Sequence, residues 1–138
     1  MKTVVGLLVL LCCAVSACGG GDSSGSVLSA PTTLVTESFT GTVAVGASDF
    51  HTFSVSNGGA INVTLTAAGP PSTIYMGIGV GTPSASACAL LTNGSVAAPA
   101  GVTAQLSGTI SAGSYCVSVF DIGNQTTPVT YTVTVTHY

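Results

Sequence analysis

The sequence has no tryptophan and no arginine, and its single lysine is Lys2. Binding to nucleic acid is thereby excluded, because phosphate contacts need a basic footprint. Carboxylates are nearly as scarce: Asp22, Glu37, Asp49 and Asp121 are the only ones. Glu37, Asp49 and Asp121 are too few and too scattered to predict an oxygen-rich calcium cage, and His51 and His137 lack metal-ligand spacing. The sequence therefore predicts no metal site and no cofactor. No paired carboxylates suited to glycoside chemistry stand out. Ser, His and Asp are all present, but serine is abundant throughout and His51 sits on an apolar parity. A structural histidine is the expectation there, and the chain is not read as an enzyme.

Long apolar runs are missing too. The longest, Val4–Val15, has a dozen residues and is interrupted only by Gly6. It is too short for a membrane-spanning helix but suits the apolar part of a targeting segment, with Lys2 before it and Ser16-Ala17 after it. Val15-Ser16-Ala17-Cys18 looks like a bacterial lipobox, which makes residues 1–17 a lipoprotein signal peptide and Cys18 the lipid-attachment site. Ordinary secretory cleavage after Ala17 is the alternative. Gly19, where an Asp can mark inner-membrane retention, favours the outer membrane, with the periplasmic or surface face left open. A lipidated Cys18 would be the membrane contact, since each buried methylene adds about 0.8 kcal/mol. Residues 18–33 then form the lipidated end of a tether, rich in Gly and Ser and poor in apolar side chains that could offset backbone entropy.

From residue 34 to 138 the vocabulary changes to Thr, Val, Ser and Gly, a strand and turn composition. Phe39, Val43 and Val45 share one parity, with a turn at Gly46–Asp49, and His51, Phe53 and Val55 share the next. Ile61, Val63, Leu65 and Ala67 alternate with Asn62, Thr64 and Thr66. Ile74, Met76, Ile78 and Val80 alternate with Gly77 and Gly79, and Gly81 continues the glycine parity, as a close approach of other groups on that side would require. Cys88–Leu91 reads as a short element and Asn93-Gly94 as a turn. Val102, Ala104, Leu106 and Ile110 read as one strand, and Tyr115–Phe120 as another. In the last, Val129, Tyr131, Val133 and Val135 oppose a row of threonines. About eight strands separated by turn signals predict an all-β antiparallel β-sandwich, jelly-roll-like, because no strand can bury its apolar face alone.

With Cys12 and Cys13 in the targeting segment and Cys18 assigned to lipid, Cys88 and Cys116 remain as an even pair. A disulfide is predicted, with roughly 3 to 4 kcal/mol of stabilisation on the chain-entropy account.

Phe39 with Gly41, Phe53 with Val55, Ala112-Gly113-Ser114-Tyr115 with Val117 and Val119, and Tyr131 with Val133 and Val135 form an ordered set. In this set the chain resembles the bacterial pre-peptidase C-terminal domain family. The resemblance implies a secreted, non-catalytic jelly-roll module of the kind appended to extracellular peptidases. These 138 residues are not expected to include a peptidase, so any accessory role would be played beside a separate enzyme.

Tyr75 and Phe120 fall opposite the apolar parity of their strands, which makes them the candidate ligand-binding aromatics. Two functions are open. One is a lipid-anchored envelope domain that binds a protein or polysaccharide; the other is a structural envelope component with no specific ligand. Asn62, Asn93 and Asn124 begin Asn-x-Ser/Thr triplets that a threonine-rich chain produces by chance.

Overall fold

The computed structural model describes residues 32–138. The targeting segment, Cys18 and nearly all of the tether lie outside the described residues. Among those described, eight strands follow one another: β1 (Val35–Val43), β2 (Ser48–Val55), β3 (Gly59–Gly69), β4 (Tyr75–Ser84), β5 (Ala87–Pro99), β6 (Leu106–Ile110), β7 (Gly113–Phe120) and β8 (Val129–His137). They form two four-stranded sheets, ordered β1-β8-β3-β6 and β2-β7-β4-β5. Every pairing is antiparallel. Consecutive strands β1 and β2, then β3 and β4, then β5 and β6, then β7 and β8 lie in opposite sheets. That order is a jelly roll, and the sequence expectation of an eight-stranded β-sandwich holds.

The core follows from the alternation. Val63, Leu65, Val133 and Val135 point inward from the first sheet and meet Met76, Ile78, Val117 and Val119 from the second. Each such side chain contributes about 1.5–3 kcal/mol when fully buried. The outer face of the first sheet is a hydroxyl lattice. Thr36, Ser38, Thr40 and Thr42 of β1 pair across to Thr136, Thr134, Thr132 and Thr130 of β8. Several of these hydroxyls bond within the sheet: Thr36 Oγ1 to Thr136 Oγ1 at 3.1 Å, Thr130 Oγ1 to the Gly69 carbonyl at 2.8 Å, and Thr134 Oγ1 to the Thr64 carbonyl at 3.3 Å.

Several local expectations change. Val45 is exposed beyond the end of β1, because the chain turns after Val43. Asn93-Gly94 makes no hairpin. Asn93 adopts φ 57° inside β5, where the register against β4 shifts between Gly79 and Gly81. The short element at Cys88–Leu91 is thus the first half of a 13-residue strand that bends at a bulge. Val102 and Ala104 precede β6, and Val102 is almost fully exposed.

The predicted Cys88–Cys116 disulfide is present, with Cα atoms 5.8 Å apart. It joins β5 to β7 across β4, passing over Gly81. The glycine parity of β4 has its reason here. Gly77 lies under the ring of Phe120, Gly79 under the Leu90 side chain, and Gly81 under Cys88 Sγ and the Ala89 carbonyl.

Candidate functional site

Three groups of polar or exposed side chains stand out once the sheets are assembled. Two of them hold the fold together. The third is open to solvent.

The first lies where β1 and β2 meet across the sandwich. The Tyr131 hydroxyl donates to Asp49 Oδ2 at 2.8 Å and accepts from His51 Nε2 at 2.9 Å. The His51 ring stacks on Phe39 with centroids 5.0 Å apart. Asp49 stands within β2, one residue beyond its start; Oδ1 accepts from the Phe50 N–H, and Oδ2 reaches across to the opposite sheet. It is therefore more than the turn residue its sequence context suggests. The hydroxyl shared by this His and Asp is a buried phenol and not a serine. Burial, then the Asp49 carboxylate, pushes the Tyr131 phenol well above its ordinary range.

The second is His137, which is fully buried against Phe53, with ring centroids 5.4 Å apart. Its Nε2 donates to Glu37 Oε1 at 3.0 Å, and its Nδ1 lies 3.1 Å from the main-chain oxygen of Tyr138. Each imidazole thus joins the two ends of the chain's fold rather than presenting a reactive group. Among the described residues no group of three or more His, Cys, Asp or Glu could hold a metal ion.

The third group contains Tyr75. Both aromatics singled out by parity lie on the outer face of the second sheet. Tyr75 is 51% exposed; Phe120 is half-buried over Gly77. Beside Tyr75 is a cleft of about 270 Å³, bounded by Pro71, Thr73 and Tyr75 on one side and by Asn124, Thr126 and Thr127 on the other. The β7–β8 loop is held in place by Asp121. Its Oδ1 accepts from the backbone N–H groups of Gly123 at 2.8 Å, Asn124 at 3.1 Å and Gln125 at 3.3 Å, while Oδ2 accepts from Gly46 at 2.8 Å. These bonds, that from Gly46 foremost, hold the Asp121 carboxyl below its ordinary range. Asp121 thus follows the last residue of β7 and anchors the loop after it. Asn124 Nδ2 donates to the Tyr75 carbonyl at 3.0 Å and ties the two walls of the cleft together. Next to it, Gln125 is buried, with Nε2 3.2 Å from Met76 Sδ and Oε1 without a hydrogen-bond partner.

Sequence parity finds Tyr75 and Phe120 but misses Asn124 as a wall of the cleft. Nothing in the local pattern places residue 124 against residue 75. Two other depressions are less suited to a ligand. A broad, shallow one of about 680 Å³ lies on the threonine face and includes Thr130, whose hydroxyl is committed to Gly69. A small apolar one of about 130 Å³ lies between β5 and β6.

No protein-family model matches the chain, and no curated protein matches it. Among solved structures, the chain is similar to the crystal structure of Aeromonas hydrophila PliG, a periplasmic lysozyme inhibitor of g-type lysozyme. The TM-score is 0.43 at 16% identity, over 72% of this chain and 83% of that one.

Proposed function

We propose that the chain is a lipid-anchored, non-catalytic protein of the bacterial cell envelope whose β-sandwich binds a protein or a glycan. The exposed Tyr75 at the mouth of an uncharged cleft carries this reading, because exposed aromatic surface beside a concavity marks interaction sites. The Cys88–Cys116 disulfide supports an oxidising, extracytoplasmic compartment. The Val15-Ser16-Ala17-Cys18 motif supports anchoring through Cys18, and Gly19 after it supports the outer membrane. The resemblance to pre-peptidase C-terminal domains supports a module without chemistry of its own.

A purely structural role is the second reading. It is favoured by the threonine face, where hydroxyls satisfy neighbouring hydroxyls and carbonyls of their own sheet. The test is capture from envelope extract by the full chain in detergent, run beside a polysaccharide array. A specific partner that Tyr75→Ala loses supports the binding reading; no partner of either kind supports the structural one. Anchoring is checked separately by radiolabelled palmitate, which should enter the wild type and not Cys18→Ser. Equal labelling of both would remove the anchor from the proposal.

A further inference from the structure

We infer that the Tyr75 cleft is a subsite for one ring of a neutral polysaccharide. The inference rests on the binding reading above and narrows it to one ligand class and one place. The cleft joins an exposed phenol ring to uncharged hydrogen-bonding groups. A pyranose offers an apolar C–H face to an aromatic ring and hydroxyls around its edge. Tyr75 supplies the ring. Asn124 and the hydroxyls of Thr73, Thr126 and Thr127 supply donors and acceptors. The Asn124 amide is already held by its bond to the Tyr75 carbonyl, which leaves its Oδ1 and second N–H for a ligand without further ordering cost.

Charge selects among sugars. No lining side chain is ionisable at neutral pH, and there is no cation to pair with a uronate or phosphate. The carboxylate on the same loop, Asp121, is taken up by four backbone N–H groups and repels an acidic chain. Size fits as well. The volume of about 270 Å³ falls just below the roughly 300 Å³ at which small-molecule pockets begin, so it holds a single ring with the rest of the chain outside. A protein partner would instead need a contact of about 800 Å² on each side.

β1 begins beside His137 and ends beside Val129, while Gly69, at the start of the loop that forms one wall, pairs with Thr130. Val35, where β1 begins, therefore lies at the end of the sandwich opposite the cleft. The nine residues of β1 separate the two by about 27 Å at 3.3–3.4 Å per residue.

The test is calorimetric titration of the full chain in detergent with neutral glucan, mannan and N-acetylglucosamine oligomers, and with oligouronates as the acidic series. Tyr75→Ala, Tyr75→Phe and Asn124→Ala are compared with Thr36→Ala on the far sheet, each after a thermal melt confirms folding. At least one neutral series is expected to bind. Tyr75→Ala should weaken it about tenfold or more, and Tyr75→Phe by no more than about threefold, because the ring and not the hydroxyl provides the stacking. No binding by any neutral series, equal binding of oligouronates, or an unaltered affinity in Tyr75→Ala overturns the inference. If sugars fail but an envelope protein is captured and lost with Tyr75→Ala, the glycan assignment falls and the binding reading stands. If neither binds, both fall.

Discussion

A Cβ on Gly41 would lie 2.6 Å from the hydroxyl oxygen of Tyr131, so the absence of a side chain in β1 is what lets a phenol of β8 reach Asp49 in the opposite sheet. This passage has a measurable consequence. Gly41→Ala must displace the Tyr131 hydroxyl and its bond to Asp49. Overpacking and a lost buried hydrogen bond together should cost about 2–4 kcal/mol in urea unfolding. Gly46→Ala is the comparison, since a Cβ there meets nothing and only its φ of +72° is strained. A cost at Gly41 no greater than at Gly46 would show that the close approach is unimportant.

The glycine parity of β4 should be graded by what covers each position. At Gly81 a Cβ would fall 2.6 Å from the Ala89 carbonyl carbon and 2.9 Å from Cys88 Sγ, neither of which can rotate away. Gly81→Ala should therefore cost about 3 kcal/mol and slow formation of the disulfide. At Gly77 the obstacle is the half-buried Phe120 ring, which can swing into solvent. Gly77→Ala should cost about 1 kcal/mol, and combining it with Phe120→Ala should be less than additive. Equal costs at the two glycines would contradict this order.

Reducing the Cys88–Cys116 bridge removes a cross-link between residues 28 positions apart. The chain-entropy account gives a loss of about 3.5 kcal/mol, read as a lower denaturation midpoint for the reduced, alkylated chain. The threonine sheet contains neither cysteine. Amide exchange should accelerate first in β5, the edge strand that the bridge secures.

Asp121 gives a dependence on acid. Its carboxyl is held below the ordinary value of 3.8 in the folded chain, so its contribution is present above that pH and is lost as pH falls through the lower folded value. Asp121→Asn should be less stable than wild type near neutrality, and the difference should shrink below pH 3.8. A gap that persists unchanged into strong acid would point to a cause other than the carboxylate.

Tyr131 gives the opposite sign at the alkaline end. Its phenol is raised above the ordinary 10.0, so the folded state keeps a proton that the unfolded chain loses. The stability it provides is complete below pH 10 and falls as pH rises toward the folded value. Tyr131→Phe should flatten that alkaline decline. The ultraviolet difference between the two proteins at 295 nm should appear only above pH 10, or with unfolding.

Sequence alone determined the strand vocabulary, the inward and outward parity of most strands, the outward placement of Tyr75 and Phe120, and the pairing of Cys88 with Cys116. These follow from a two-residue period and from elimination among five cysteines, and both can be read locally or by counting. The Asn93-Gly94 turn was misleading because a left-handed residue serves a bulge as readily as a hairpin. Tertiary structure alone decided which strands are neighbours. It brought Glu37 to His137, Asp49 to Tyr131 and Asn124 to Tyr75 across separations of 100, 82 and 49 residues. Alternation fixes the face on which a side chain stands, but not what stands opposite it. The order of strands within two packed sheets settles that, and the cleft, with any ligand it holds, is a product of that order.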